Sequence, residues 1–301
     1  MIDVFIVGAG FAGMTAAIYA TRAGYGVKII EKYIYGGQIV QTGDIENYPG
    51  FTKIDGPSLS MKLHDQLKHL GLSVDTEELV SIEEEGNLKK IVTNKASYLA
   101  KTVIVATGSK ERELGLPNEE KLKARGISYC ATCDGNFYKG KELAVVGGRN
   151  TAIMSALELA RVATKVYLLV RADQLKGDKT NIDKVLANPK IEVKYNTTVS
   201  KIYGDNHLES IDILENDEEK PLAIAAMFLA IGSIPNTEMF KNYLALDDYN
   251  YIIADESTKT SVPGVFVAGD CRTKTVRQLT TAASDGTIAA LEAANYIDNS
   301  F

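Results

Sequence analysis

The chain is poor in the residues that mark several protein classes. Three cysteines among 301 residues cannot build a disulfide scaffold, which sets aside the small stapled folds. Seven prolines, and glycines without a repeat, exclude fibrous and low-complexity architectures. Positive charge is not in excess. The 33 Lys+Arg against 39 Asp+Glu leave a formal charge of −6, unsuited to holding a phosphate backbone, so no nucleic acid partner is expected. No apolar run reaches the ~20 residues of a membrane-spanning helix, so no membrane partner is expected either. The longest such run, Leu222 to Ile231, reads as a buried strand. No leader is expected either, since Met1-Ile2-Asp3 runs straight into a strand pattern, and a cytoplasmic location is expected.

What is present fits an ordinary globular protein, 45% hydrophobic and 24% charged, long enough for two domains of roughly 100 to 200 residues. Val4-Phe5-Ile6-Val7 is followed by Gly8-Ala9-Gly10-Phe11-Ala12-Gly13, an Ala-rich stretch to Gly24, and Val27 to Glu31. This is strand, tight turn, helix, strand. Gly8 allows the turn, Gly10 lets a pyrophosphate approach the backbone, and Gly13 permits close packing of helix on strand. Amides at the helix N-terminus then hold the anion. Glu31, 18 residues beyond Gly13, stands where a carboxylate bonds ribose hydroxyls.

The pattern returns 139 residues later as Leu143 to Val146, Gly147-Gly148-Arg149-Asn150-Thr151-Ala152, a helical stretch to Ala163, and Lys165 to Val170. Alternating strands and helices in two such units predict an α/β fold of two Rossmann-like dinucleotide-binding domains. Apolar strands running into Thr107-Gly108, Gly232 and Gly269-Asp270, and a last helix over Leu279 to Tyr296, place the second domain as an insertion in the first. The first domain is expected over 1–114 and 241–301, the inserted one over 115–240. Leu116-Pro117 and Ser233-Ile234-Pro235 read as the hinges.

Cys130 and Cys133 form a C-x-x-C just before the second glycine turn, a spacing that points to redox or metal chemistry. Two such thiols close a small disulfide reversibly, and a helix N-terminus or nearby charge lowers a thiol pKa below about 8.5. Asp134 follows directly and can move the proton that dithiol chemistry requires. A zinc site needs two more ligands, and the only histidines are His64, His69 and His207, which read as surface polar residues. No metal is expected. Cys271 reads as a small buried hydrophobe.

These motifs together resemble the low-molecular-weight thioredoxin reductases, and the resemblance covers essentially the whole chain. It is carried by Gly8-Ala9-Gly10-Phe11-Ala12-Gly13, Gly36-Gly37-Gln38, Glu46-Asn47-Tyr48-Pro49-Gly50, Ala106-Thr107-Gly108, Cys130-Ala131-Thr132-Cys133-Asp134-Gly135, Gly269-Asp270 and Arg277-Gln278. It implies a homodimeric flavoenzyme with FAD in the first domain, held by Gly8, Gly10, Gly13, Glu31, Gly37, Gln38, Asn47, Thr107, Gly108, Asp270, Arg277 and Gln278. Asp270 would face the ribityl and pyrophosphate region and Arg277-Gln278 the isoalloxazine ring. The resemblance further implies Cys133 as the flavin-proximal sulfur, Cys130 as attacker of oxidised thioredoxin, Asp134 as acid and base, and rotation of one domain about the hinges.

The second glycine turn departs from that family. NADPH-using members carry Gly-Gly-Gly-Asn/Asp-Ser/Thr-Ala, whereas Arg149 occupies the third position here. Its guanidinium either blocks the pyrophosphate or replaces the backbone contact with a charge-assisted bond. The family's His-Arg-Arg with a further Arg is reduced to Val170-Arg171-Ala172 and Lys176, a weaker phosphate site. One reading is a relaxed NADPH or NADH site. The other, favoured by the double erosion, is the ferredoxin-dependent flavin thioredoxin reductases. Docking an acidic ferredoxin would draw on Lys139, Lys141, Arg149, Arg171, Lys176 and Lys179. A non-enzymatic FAD-binding redox sensor is the alternative of another class, and the intact Cys130-Cys133-Asp134 argues against it.

Overall fold

Ile2–Val7 lies in the middle of a sheet because Val4 to Val7 are apolar on both faces, as a parallel strand covered on two sides must be. The computed structural model describes residues 1–301 and divides them into two compact units. The first comprises Met1–Lys110 with Ile234–Phe301, the second Glu111–Ser233.

In the first unit Ile2–Val7 pairs in parallel with Val27–Glu31 on one side and Ser97–Val105 on the other. Val74–Thr76 extends the sheet beyond Val27–Glu31. The far edge of Ser97–Val105 is shared. Its first half takes the antiparallel Leu88–Thr93, followed by Leu79–Glu85, and its last residues take the parallel Val265–Val267. Val4 and Ile6 face a core with helices Phe11–Arg22 and Leu279–Ser300, while Phe5 and Val7 face another with Val103, Phe240 and Ile252. The two helices approach through small residues, Ala12 and Ala16 on one and Ala282, Gly286, Ala289 and Ala293 on the other. Gly286 is bare of necessity: a Cβ there would lie 2.3 Å from the carbonyl oxygen of Ala12.

In the second unit five parallel strands run in the order Ile127–Ser128, Ala226–Leu229, Glu142–Val146, Lys165–Leu169, Ile191–Lys194. A separate antiparallel sheet of Thr197–Tyr203, Ser210–Glu215 and Glu218–Ala223 shares a core with them. The dithiol follows Ser128, the second glycine turn follows Val146, and Arg171 follows Leu169. All three therefore stand at carboxyl ends of one parallel sheet, where open α/β sheets place their ligands.

Several expectations shift. The units meet at 110/111 and 233/234 rather than at 114/115 and 240/241. Asn236 is fastened to the first unit, its N–H to Gly108, its side-chain amide to the Thr107 carbonyl (2.9 Å) and its own carbonyl to the Thr107 hydroxyl (2.7 Å). In the second unit the Glu119 carboxylate accepts the amides of Leu114, Gly115 and Leu116. The run Leu222 to Ile231 is not one strand: it leaves the antiparallel sheet at Ala223 and enters the parallel one at Ala226. The last helix runs on to Ser300. His64 is buried, stacked on Tyr35 with ring centroids 3.8 Å apart, and burial holds its imidazole below the usual value. His69 and His207 are exposed. No helix is long and apolar enough to cross a membrane.

Because the atom facing Gly286 is backbone, Gly286→Ala cannot be relieved by a rotamer change. It is expected to destabilise the protein by about 1–3 kcal/mol, as overpacking does, read as a lowered denaturation midpoint. An unchanged midpoint would disprove the close helix approach.

Candidate redox and cofactor sites

In the second unit the edge strand Ile127–Ser128 ends two residues before Cys130, which caps a single helical turn, Ala131–Asp134. Cys130 and Cys133 are joined as a disulfide with Cα atoms 5.3 Å apart. The Cys133 N–H points at Cys130 Sγ (3.2 Å). The turn brings Asp134 back to Ser128, whose hydroxyl donates to Asp134 Oδ2 (2.6 Å) and accepts the Cys130 N–H (3.1 Å). Burial raises the Asp134 carboxyl above the ordinary aspartate value, and the Ser128 hydrogen bond opposes that rise. A carboxyl so placed is suited to giving as well as taking a proton.

In the first unit the glycine turn is built as its spacing requires. A Cβ on Gly13 would lie 1.9 Å from the Gly8 carbonyl oxygen, and one on Gly8 2.4 Å from that of Ala106. Gly10 differs. It has an ordinary extended backbone, φ −75°, and a Cβ there would meet no protein atom within 4 Å. Glu31 Oε2 accepts the Ala9 N–H (2.9 Å) and so braces the turn. The Gly36 N–H bonds the Ala9 carbonyl (2.7 Å), which seats Gly37 beside Gly10, and the Gln38 amide donates to the Ser109 carbonyl. Gly108 takes a left-handed φ of +66° just after Thr107.

The opposite wall is the segment from Gly269 to Gln278. Gly269 sits against Ala12 at the start of the first helix. Its N–H is held by Asp285 Oδ2 (3.0 Å), and the same carboxylate takes Arg272 Nε (2.9 Å), Arg272 Nη2 (2.8 Å) and Lys274 Nζ (2.8 Å). Arg277 stacks over the Tyr251 ring and donates to the Arg272 carbonyl. Gln278 caps the helix Leu279–Ser300 in a reciprocal capping box with Thr281 and accepts the Asn47 amide (3.2 Å). Cys271, fully buried, bonds the Val105 and Ala268 carbonyls, and burial pushes its thiol up to about 11.

Two polar atoms along this wall, Asp270 Oδ1 and Arg277 Nε, are buried without a hydrogen-bond partner in the protein. Burial raises Asp270 above the usual carboxylate range. An orphaned carboxylate oxygen and a bare, unstrained Gly10 fit a dinucleotide with hydroxyls to donate and a pyrophosphate to seat. Of the first-unit residues expected at the flavin, Gly37 lies beside Gly10 and Asn47 bonds Gln278, while Gly269, just before Asp270, sits against Ala12.

The second glycine turn repeats the geometry at its first glycine and differs at the other two positions, with Arg149 for Gly10 and Ala152 for Gly13. A Cβ on Gly147 would lie 2.5 Å from the Ala230 carbonyl oxygen, matching Gly8 and Ala106. Arg149 stands in the place of Gly10, exposed and extended at φ −111°. Val170 is buried, and a Cβ on Gly148 would strike it at 2.7 Å. Arg171 and Lys176 are exposed, and the Lys176 N–H bonds the Gly148 carbonyl (2.8 Å).

A family model described as pyridine nucleotide-disulphide oxidoreductase matches residues 2–286. A thioredoxin reductase of Peptoclostridium acidaminophilum is 40% identical over 99% of this chain and 98% of its own. One of Listeria monocytogenes is 38% identical over 98% and 94%. The crystal structure of thioredoxin reductase from Streptococcus pyogenes superposes with a TM-score of 0.94 at 41% identity, covering 99% of both chains. The chain belongs to the pyridine nucleotide-disulphide oxidoreductase family, among its thioredoxin reductases. Members of this group are FAD-dependent.

Two parts of this family member were not found from sequence. Asp285 is the one acidic residue on the small, apolar face of the last helix, and that isolation was its only signal. Ser128 had none beyond its place two residues before Cys130.

Burial alone would raise the Asp285 carboxyl, but bonds from Arg272 and Lys274 outweigh it and hold the group below 3.8. A depressed folded-state pKa means that its contribution is complete above the ordinary aspartate value and is lost as pH falls through the folded value. Asp285→Ala leaves Arg272 and Lys274 buried without their counter-ion and is expected to cost about 3–5 kcal/mol near neutral pH. Urea titrations of both proteins should show this gap narrowing toward acid. A gap independent of pH would disprove the ionic account.

Proposed function

We propose that this chain is an FAD-dependent thioredoxin-disulfide reductase whose electron donor is a reduced ferredoxin. The observation that carries the disulfide chemistry is the closed Cys130–Cys133 pair with the Asp134 carboxyl tied to the same loop. FAD, when bound, supplies the two electrons that open this disulfide. Gly10 would seat its pyrophosphate, Glu31 its ribose, Asp270 its ribityl hydroxyls, and Arg277 with Gln278 its ring. Gly8, Gly13, Gly37, Gln38, Asn47, Thr107 and Gly108 shape the cradle.

Once the dithiol is reduced, the Cys133 N–H stabilises negative charge on Cys130 Sγ. Cys130 Sγ attacks one sulfur of oxidised thioredoxin, forming a mixed disulfide and releasing the other sulfur as a thiolate. Asp134, raised by burial, donates the proton that the departing thiolate takes up. Cys133 Sγ, its proton passed to Asp134, then attacks Cys130 Sγ, which releases reduced thioredoxin and restores the Cys130–Cys133 bond. A homodimer belongs to this reading.

The donor reading rests on a comparison of Gly10 with Arg149. Both cap a helix with extended backbone, so neither position needs glycine for its own conformation. Bareness at Gly10 therefore serves a ligand, and the guanidinium at Arg149 marks a turn on which that demand has lapsed. The reduced basic set of Arg171 and Lys176 supports the same conclusion for a 2′-phosphate.

Two experiments test these readings. Cys133→Ser removes the resolving sulfur and is expected to lower steady-state thioredoxin reduction on the order of 10⁴-fold or more, with FAD content unchanged. Retained turnover would end the dithiol mechanism. Anaerobic protein mixed separately with NADPH, NADH and photoreduced ferredoxin should lose its flavin band only with ferredoxin. Rapid bleaching by micromolar NADPH would falsify the donor assignment.

A further inference from the structure

The hydroxyl of Ser128 sits between the two parts of the dithiol machinery. It is 4% exposed at the end of the edge strand, so its bonds are shielded from competing water. It accepts the Cys130 N–H at 3.1 Å, and it lies 2.6 Å from Asp134 Oδ2 and 3.4 Å from the Cys130 carbonyl oxygen. A hydroxyl has one proton to give and two lone pairs to offer. With Asp134 ionised, that proton goes to the nearer acceptor, Oδ2. With Asp134 protonated, the acid proton can be donated to Ser128 Oγ, while the serine proton turns to the Cys130 carbonyl. Either way the Cys130 N–H keeps its partner. Ser128 can thus satisfy both protonation states of the carboxyl without moving a heavy atom.

No other side chain donates to this carboxyl. Ionisable groups packed around this turn are Tyr138, whose phenol is raised by burial and then by Asp134, Glu158 on the helix Asn150–Leu159, which accepts the Thr132 hydroxyl at 2.8 Å, and, once reduced, the thiols of Cys130 and Cys133. None of these groups carries a positive charge that would steady ionised Asp134.

We propose that Ser128 is a positioning residue that fastens the acid–base carboxyl of Asp134 to the backbone of Cys130 and favours its ionised form. The proposal rests on the thiol–disulfide reading above. Losing the Ser128 bond removes a stabiliser of the carboxylate, so the Asp134 titration moves to higher pH.

The test uses FAD-loaded protein as wild type, Ser128→Ala and Ser128→Thr. Isotope-edited infrared titration, with the aspartate band assigned through Asp134→Asn, reads the carboxyl directly. Single-turnover oxidation of the reduced dithiol by thioredoxin across pH reads its use. Ser128→Ala should shift the carboxyl midpoint and the matching limb of the rate profile toward alkali. It should also slow exchange roughly tenfold at the wild-type optimum, short of the ~10²-fold or more lost with an acid–base group itself. Ser128→Thr, which keeps a hydroxyl, should restore the midpoint. A midpoint unmoved in Ser128→Ala overturns the proposal, as does an equal loss of rate at every pH. Wild-type protein that binds FAD but leaves thioredoxin oxidised would sink the functional reading instead, and the infrared titration would still decide the role of Ser128.

Discussion

Backbone pressed against backbone is the constraint on which the rest of this molecule depends. In each unit the first glycine of a strand-to-helix turn lies so near a carbonyl oxygen, Ala106 in one and Ala230 in the other, that no side chain fits. That contact fixes where the helix starts relative to the sheet, and so where its amide groups point. The glycines are of two kinds. At Gly8, Gly13 and Gly147 a Cβ would strike the protein's own atoms, while at Gly10 it would meet no protein atom within 4 Å. In the second unit Arg149 occupies the place of Gly10 and Ala152 that of Gly13, so of the three positions only the first is glycine in both turns.

Charge is handled in opposite ways at two carboxylates, Asp285 on the helix Leu279–Ser300, which bonds the Gly269–Gln278 segment, and Asp270 within that segment. Asp285 is saturated by an amide, a guanidinium and an ammonium, and is held in its ionised form. Asp270, one residue beyond the amide that Asp285 holds, keeps a buried oxygen with no protein partner. The first fixes the loop, while the second leaves a buried oxygen that the protein itself does not satisfy.

The glycine turns and the C-x-x-C were legible because their meaning lies in spacings of a few residues, set by turn geometry. The α/β class followed from the alternation of apolar strands with Ala-rich helices. What escaped depends on contacts distant in sequence. Asp285 acquires its role from Arg272 and Gly269, 13 and 16 residues away, and Asn236 belongs to the first unit because it meets Thr107, 129 residues earlier. His64 looked superficial since nothing near it in sequence announces Tyr35. Leu222 to Ile231 read as a single strand because hydropathy does not record that the chain changes sheets at Ile224 and Ala225.

The unit that carries the first glycine turn is made from both ends of the polypeptide, and its opening helix is covered by its closing one. During synthesis Phe11–Arg22 must therefore wait, its apolar face unmet, until Leu279–Ser300 has left the ribosome. Glu111–Ser233 is a continuous stretch and carries no such delay. Glu111–Ser233, with Cys130 and Cys133, can thus complete its core before the two helices of the other unit meet.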